Sequence, residues 1–390
     1  MFFIIALLIL WTMHGYVAYR IIPTIGLSSF QSIFAYILTF LLSLLPIIPI
    51  LLRMSGNEAK IIDKLSLIGY TSLGFFTLSF MTFLAKDIFV QLLSFSSGLF
   101  NDHQIIDDKK RDFIKKSLSI GLLGITGSAT VYGFSSARIG PRIFKQDIYL
   151  ESLPIEFEDF KIAQISDLHV GPTIKRPYVE NVLDQISQIN PNLIAVTGDL
   201  VDGSVKYLRS DLEPLRDMIA HYGTFFVTGN HEYYSGVDQW LDETEKIGMI
   251  NLVNENKIIS INEQKIAIAG ITDYKAHQIK TSHKSNPKKA LENVPENMTR
   301  IMLAHQPKSI YAVHEAGVDL QLSGHTHGGQ FWPFTYPTKL ANTYLAGHYD
   351  HFGTQIYVNR GTGYWGPPLR LGVSAEITLF RLKKKKTNLS

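Results

Sequence analysis

Residues 161–169 read KIAQISDLH, and residues 193–202 read LIAVTGDLVD. In both stretches a short apolar run ends in a polar turn that carries carboxylates. A longer amphipathic segment, residues 176–189, separates the two runs. Apolar runs that alternate with amphipathic segments are typical of parallel β-strands joined by helices. The two stretches therefore predict an α/β fold for this part of the chain.

The same alternation continues to about residue 382. It predicts further strands at residues 224–228, 265–269, 300–304, 318–323, 355–359 and 374–382, and helices at residues 176–189, 208–220 and 237–247. In open sheets of this kind, ligands bind beyond the carboxyl ends of the strands. A functional site is therefore expected among the residues that follow the strands.

Polar residues with oxygen or nitrogen donor atoms follow five of the predicted strands. They are Asp167, His169, Asp199, Asp202, Asn230, His231, His305, His325 and His327. A lone histidine is usually a hydrogen-bonded core residue, and an aspartate after a strand is often a helix cap. Their combination at five strand ends instead predicts a metal site.

The donor atoms indicate which metals are expected. The chain has no cysteine, so thiolate ligands and disulfides are excluded. Oxygen and nitrogen donors suit Mn, Fe or Zn. Two divalent metal ions need a carboxylate that bridges them, and Asp199 follows the central predicted strand.

A site with two metal ions indicates an enzyme that hydrolyses phosphomonoesters or phosphodiesters. The bridged pair would turn a shared water into hydroxide near neutral pH and neutralise the phosphoryl oxygens. We expect His231 to give a proton to the leaving oxygen and Asp202 to orient His231. The alternative for His231 is a further ligand or a plain turn residue.

At this point the sequence resembles the calcineurin-like metallophosphoesterase superfamily over residues 160–330. The matching motifs, in order, are Asp167-Leu-His169, Gly198-Asp199-Leu-Val-Asp202, Gly229-Asn230-His231-Glu232, His305 and Gly324-His325-Thr-His327. The resemblance implies a four-layer αββα sandwich. It also implies one metal held by Asp167, His169, Asp199 and His327, and a second held by Asp199, Asn230, His305 and His325.

The chain looks most like a bacterial branch of this superfamily that has several N-terminal membrane spans. The ending Asn359-Arg-Gly-Thr-Gly-Tyr is similar to that branch, although Ala375 stands where the branch commonly has proline. Serine/threonine protein phosphatases of the superfamily have arginine where this chain has Gly203. A protein substrate is therefore disfavoured.

Two arginines near the predicted site are candidate substrate residues. Guanidinium groups match phosphate geometry, so Arg360 and Arg370 are expected to clamp a phosphate. An ordinary structural ion pair is the alternative for each.

The first third of the chain is strongly apolar, and Arg20 is the only Lys, Arg, Asp or Glu before Arg53. Residues 1–22, 30–52, 65–84 and about 117–131 are each long enough, or nearly so, to cross a bilayer as a helix. Buried helices of a soluble protein would keep a polar face. We therefore predict a transmembrane region of about four helices over residues 1–135, a linker over 136–150 and a catalytic domain over 151–385. Lys86 and Asp87 precede an apolar stretch that is a candidate fifth segment.

Charge patterning indicates an orientation. The cluster KKRDFIKK at residues 109–116 precedes the fourth span, and basic residues of this kind stay in the cytoplasm. The catalytic domain would then be extracytoplasmic, and membrane lipid would be a partner.

A net charge of +3 without a basic-aromatic pattern does not indicate nucleic acid binding. The sequence does not indicate an oligomeric state.

Membrane attachment favours a lipid-linked or cell-envelope phosphate ester as the substrate. One alternative is a pyrophosphohydrolase resembling the enzyme that cleaves UDP-diacylglucosamine in lipid A synthesis, which needs a cytoplasmic active site. Another alternative is a non-catalytic membrane sensory module. Such modules usually lose ligands, whereas every expected ligand position is filled here.

Overall fold

The computed structural model of the chain describes residues 2–99 and 108–385. Met1, where the first predicted span begins, lies outside the described part. The chain forms two units: residues up to 135 together with Gly366–Leu369, and residues 136–365 together with the chain from Arg370 onward.

The first unit is helical. Its helices are α1 (Phe2–Ile21), α2 (Ser29–Leu44), α3 (Ile48–Met54), α4 (Lys60–Leu99) and α5 (Asp108–Ile139), the last of which continues into the second unit. Helix α2 begins where the Ser28 side chain accepts a hydrogen bond from the backbone N–H of Gln31 and the Gln31 side-chain oxygen accepts one from the backbone N–H of Ser28.

Four segments in the described residues are long and apolar enough to cross a membrane. They are Ile4–Thr24, Ser29–Met54, Lys60–Ser96 and Asp112–Ile139. The four predicted spans are thus matched by four candidate membrane helices. Lys86 and Asp87 lie inside the continuous helix α4, so the candidate fifth segment is wrong.

Two six-stranded sheets form the centre of the second unit. The strands are β1 (Arg142–Leu150), β2 (Lys161–Ile165), β3 (Leu193–Thr197), β4 (Thr224–Val227), β5 (Met249–Asn251), β6 (Glu255–Ile261), β7 (Gln264–Gly270), β8 (Thr299–Leu303), β9 (Leu320–Ser323), β10 (Gly347–His351), β11 (Thr354–Val358) and β12 (Glu376–Lys384). The strand order is β1-β12-β2-β3-β4-β5 in one sheet and β10-β11-β9-β8-β7-β6 in the other. Strands β2 to β5 run parallel, as do β7, β8, β9 and β11.

Helices cover the outer faces of both sheets. They are α6 (Arg176–Ile189), α7 (Val205–Leu212) and α9 (Val237–Lys246) on one sheet, and α10 (Pro287–Ala290) and α11 (Ile310–Glu315) on the other. Two further short helices, α8 (Asn230–Ser235) and α12 (Thr335–Ala341), follow β4 and β9 along the chain. Along β3, Ile194 and Val196 pack against α6, whereas Leu193 and Ala195 pack between the sheets. Strands buried on both faces read as continuous apolar runs, which is the pattern seen in the sequence.

The resulting layers are helices, sheet, sheet and helices. The core between the sheets joins β2, β3 and β4 to β7, β8 and β9. A third core packs β7 and β8 against α10 and α11. The predicted four-layer αββα sandwich is confirmed.

Two predicted boundaries need correction. The expected linker, residues 136–150, contains β1, which pairs in parallel with β12 along its whole length and buries Ile148 and Leu150. Charged residues interrupt its apolar pattern because it is an edge strand. The helix predicted at residues 208–220 instead begins at Val205, after the Ser204 cap, and ends at Leu212, just before Pro214.

Candidate metal site

The predicted site residues follow strands of both sheets. Asp167 and His169 follow β2, Asp199 and Asp202 follow β3, and Asn230 and His231 begin α8 after β4. His305 follows β8, and His325 and His327 follow β9 of the second sheet. The structure thus brings together the ends of five strands that are far apart in sequence.

Sharp backbone turns direct these side chains. Asp167, His169, Asp199, His325 and His327 all have positive φ, between 51° and 72°. Such left-handed conformations are uncommon for residues other than glycine, although Asp, Asn and His adopt them more readily than most. Five of them at one site mark a locally strained arrangement, which is typical of functional sites.

The first group of donor atoms contains Asp167, His169 and His327. The Nε2 atoms of His169 and His327 lie 3.1 Å apart, and His327 Nε2 lies 3.4 Å from Asp167 Oδ1. Asp199 Oδ2 is 3.9 Å from His169 Nε2. Two ring nitrogens and two carboxylates therefore converge, as they would around one cation.

The second group contains Asp199, His305 and His325. His305 Nε2 lies 3.0 Å from Asp199 Oδ2 and 3.2 Å from His325 Nδ1. His305 Nδ1 is 2.8 Å from the carbonyl oxygen of Thr197, and a hydrogen bond donated there leaves the Nε2 lone pair facing Asp199. The buried Oδ1 of Asn230 has no hydrogen-bond partner within residues 2–99 and 108–385. Asp199, His305 and His325 therefore form a second group of donor atoms that could hold a metal ion.

Asp199 lies next to a member of each group, as its predicted bridging role requires, because its Oδ2 atom is 3.9 Å from His169 Nε2 and 3.0 Å from His305 Nε2. Its Oδ1 accepts a hydrogen bond of 2.9 Å from the backbone N–H of His231. Burial raises the pKa of Asp199, but the imidazoles of His305 and His231 outweigh this and hold the pKa well below its ordinary value. Gly229 is required beside it, because a Cβ atom there would collide with the Asp199 carboxylate.

Asp202 connects two imidazoles. One of its oxygens bonds to His231 Nδ1, and the other lies 3.2 Å from His169 Nδ1. His231 Nε2 is 4.0 Å from Asp199 Oδ2. Burial lowers the pKa of His231, but the carboxylates of Asp202 and Asp199 outweigh it and raise the pKa to about 10. The imidazole therefore has the carboxylate contact at Nδ1 that the predicted proton donor requires.

The sequence interpretation assigned no role to Glu232, which has a structural one. The buried carboxylate accepts backbone hydrogen bonds from Gly229 (2.6 Å), Leu200 (2.7 Å) and Asp199 (3.0 Å). Burial and the nearby Asp199 raise the pKa of Glu232 to about 7. Glu232 thus ties the loop after β3 to the start of α8. An acidic residue at the third position of a helix is the signal that could have revealed this contact.

Both candidate substrate arginines bond to the protein. The guanidinium of Arg370 is fully buried and donates to the carbonyl oxygens of His327, Arg360, Gly361 and Gly363. Arg360 forms an ion pair with the buried Glu376 at 2.5 Å. Arg360 thus has the ion pair of the structural alternative, whereas Arg370 is held by carbonyl oxygens, and the phosphate clamp stays a prediction.

Comparison with known proteins identifies the family. The family model described as calcineurin-like phosphoesterase matches residues 160–329. A protein of Helicobacter pylori, described as an uncharacterized metallophosphoesterase, is 36% identical over 79% of this chain and 81% of its own length. The chain belongs to the calcineurin-like metallophosphoesterases. It is therefore a metal-dependent hydrolase of phosphoric esters, as the site geometry suggests.

Relatives of this metallophosphoesterase also occur in other organisms. A bovine protein described as a transmembrane protein with a metallophosphoesterase domain is 33% identical over 80% of this chain and 72% of its own length. An uncharacterized metallophosphoesterase of Bacillus subtilis is 30% identical over 70% of this chain and 97% of its own. The bovine description confirms the expected likeness to family members with membrane helices.

Proposed function

We propose that this chain is a membrane-anchored phosphoesterase that uses two divalent cations, Mn, Zn or Fe, to hydrolyse phosphomonoesters or phosphodiesters. One observation carries the proposal: the Oδ2 atom of Asp199 lies 3.9 Å from His169 Nε2 in one group of donors and 3.0 Å from His305 Nε2 in the other. We assign Asp167, His169, Asp199 and His327 to one cation. We assign Asp199, Asn230, His305 and His325 to the other.

The chemistry divides between the cations and the protein. Two bound cations would lower the pKa of a water molecule and neutralise phosphoryl oxygens. His231 is held protonated by Asp202 and Asp199, and its Nε2 would donate a proton to the leaving oxygen. The Asp202 carboxylate accepts a hydrogen bond from Nδ1–H of His231 and thereby fixes the orientation of the ring. Asp202 is a positioning residue in this scheme.

The membrane helices support a substrate found at a membrane. Four candidate spans attach the catalytic domain to a bilayer by covalent connection. We therefore propose a lipid-linked or cell-envelope phosphate ester as the physiological substrate, with the catalytic domain on the extracytoplasmic side. The basic cluster at residues 109–116 supports this orientation.

Hydrolysis by the full chain in detergent tests the proposal. The protein is stripped of metal with a chelator, supplied with Mn or Zn, and assayed on bis-p-nitrophenyl phosphate and p-nitrophenyl phosphate. We expect metal-dependent turnover that Asp199→Asn abolishes together with bound metal, measured by elemental analysis. Asp184→Asn, an exposed position on α6, is the matched control. A folded, metal-loaded protein that hydrolyses neither ester would favour a non-catalytic module.

A further inference from the structure

Two exposed aromatic side chains flank the His231 imidazole. The Tyr234 ring centroid lies 5.4 Å from that of His231, and the Trp365 ring centroid lies 5.5 Å from it. Both rings stand nearly perpendicular to the imidazole, at 70° and 69°. Tyr234 is 65% exposed and Trp365 is 53% exposed. A substrate whose leaving oxygen contacts the proposed proton donor would therefore also contact these two exposed aromatic side chains.

The Trp365 backbone is fixed although its indole is exposed. The side-chain amide of Gln330 accepts a hydrogen bond from the backbone N–H of Trp365 at 2.9 Å and donates one to its carbonyl oxygen at 3.0 Å. The preceding residue, Tyr364, is buried and donates a hydrogen bond to the carbonyl oxygen of Thr173. The backbone that carries the indole is therefore held in place, and fixing it costs little further conformational entropy when a ligand binds.

The Tyr234 backbone is also anchored. Tyr234 lies on α8, four residues after Asn230. Its neighbour Tyr233 is buried, and the Tyr233 hydroxyl lies 3.2 Å from Thr228 Oγ1 and 2.9 Å from His283 Nδ1. Both aromatic side chains thus project from fixed backbone beside the same imidazole.

We propose that Tyr234 and Trp365 form a leaving-group subsite that binds a flat ring, either a planar base or the C–H face of a sugar. The inference rests on the proposed phosphoesterase function. The leaving oxygen must lie within hydrogen-bond reach of His231, so the group attached to that oxygen lies next to both rings. Exposed aromatic faces bind flat rings by stacking, whereas an acyl chain needs a long enclosed apolar groove.

Three phosphonates that differ only in the group attached to the phosphonate carbon provide the test. Phosphonate analogues of glycerol 3-phosphate, ribose 5-phosphate and adenosine 5′-monophosphate have a C–P bond that is not hydrolysed. Their affinities for the metal-loaded full chain are measured by titration calorimetry and by inhibition of bis-p-nitrophenyl phosphate hydrolysis. We expect the best ring-bearing analogue to bind at least about tenfold more tightly than the glycerol analogue.

Matched substitutions assign that preference to the two rings. Trp365→Leu and Tyr234→Leu should each reduce the ring preference several-fold and leave the affinity for the glycerol analogue unchanged. Trp332→Leu is the control, because Trp332 is exposed to a similar degree, 54%. Bound metal and thermal melting verify that each variant is folded and loaded.

Each outcome has a defined meaning. Tight binding of the adenosine analogue alone assigns the subsite to a base, and tight binding of both ring-bearing analogues assigns it to a sugar ring. Equal affinities for all three analogues would overturn the proposal. An equal loss of ring preference in all three substituted variants would overturn it as well. A short-chain phosphatidate that binds more tightly than the ring-bearing analogues, through a contact that depends on Trp365, would also overturn the proposal. Calorimetry separates these results from failure of the proposed function, in which bis-p-nitrophenyl phosphate is not hydrolysed although the analogues bind.

Discussion

At the residue scale, Asp202 couples the two halves of the site. Its two oxygens contact His231 and His169, so one carboxylate orients the proposed proton donor and a proposed metal ligand. A substitution of Asp202 should therefore affect both proton donation by His231 and metal binding by His169. The effect on His231 can be separated by choosing substrates whose leaving groups differ.

His231→Gln should slow hydrolysis of alkyl esters far more than hydrolysis of p-nitrophenyl esters. A poor leaving group needs a proton, and general acid catalysis contributes roughly 10²- to 10⁴-fold. We expect Asp202→Asn, added to His231→Gln, not to increase the difference between the two esters any further, since residues that act as a unit are not additive. Any additional loss should be equal for both esters, because it comes from the contact of Asp202 with His169. The measurement is kcat for both ester types. His221→Gln, at an exposed position, is the control, and equal losses on both esters would contradict the assignment.

Glu232→Gln should destabilise the protein even without metal. The buried carboxylate accepts three backbone N–H groups, whereas a glutamine amide presents an NH₂ group to at least one of them. An unsatisfied buried donor costs about 1–3 kcal/mol. We expect a corresponding loss in the free energy of unfolding of the chelator-treated protein, measured by denaturant titration. Glu245→Gln, exposed on α9, should leave it unchanged.

The sequence revealed the donor residues of the site but not the residues that hold them. Asp167, Asp199 and His305 were predictable because chemically distinctive side chains follow recognisable strands. Arg370 was assigned to the substrate because sequence shows a charge but not its burial. Its hydrogen bonds go to backbone carbonyls, and these become apparent only when distant loops are placed in three dimensions.

At the element scale, β1 gives the second unit its outer edge. Nine residue pairs connect β1 with β12, and Ile148 and Leu150 contribute to the core between the sheets. A catalytic fragment should therefore include this strand.

A fragment of residues 151–385 should fold poorly, whereas residues 136–385 should melt cooperatively. The shorter fragment loses the β1 hydrogen bonds and two fully buried side chains, each worth roughly 1.5–3 kcal/mol. It also leaves β12 as an unpaired edge that invites aggregation. Size-exclusion chromatography and circular dichroism melting make the comparison. A monomeric, stable shorter fragment would show that β1 is dispensable.

Elements buried on both faces were the easiest to predict. Strand β4 lies within a residue of its predicted bounds, and β2 and β3 occupy the apolar runs of the two quoted stretches, because all three runs are continuous. Strands β1, β5, β6 and β10 were missed, and each lies at a sheet edge. Strand β5 has only three residues, whereas the other three carry polar residues that resemble a loop. Helix α7 begins before its predicted first residue, because the Ser204 side chain caps the helix at that point.

At the scale of the whole molecule, membrane orientation decides which substrates the site can meet. An extracytoplasmic catalytic domain excludes cytoplasmic nucleotide-lipids, whereas a cytoplasmic domain would favour the pyrophosphohydrolase alternative. The family and the four-layer fold followed from sequence motifs. The substrate did not, because the motifs describe the metal and phosphate chemistry common to the family.

Reporter fusions should show an extracytoplasmic C-terminal side. Alkaline phosphatase fused after Lys385 or inserted at Asn57 should be active, and green fluorescent protein inserted at Gly26 should fluoresce, because four spans alternate the sides. Fusions are made in the Asp199→Asn background so that the chain's own activity does not contribute. Exchanging the two reporters at each position is the control. The reverse pattern would place the catalytic domain in the cytoplasm.

The left-handed backbone at five site residues also constrains how this protein can diverge over evolution. At Asp167, His169, Asp199, His325 and His327, glycine, asparagine, aspartate and histidine fit the backbone, whereas β-branched residues do not. A lineage that abandoned hydrolysis should therefore drift first toward asparagine or glycine at these positions. Its sandwich would survive intact, and a sequence survey would find the fold retained long after the donor atoms had gone.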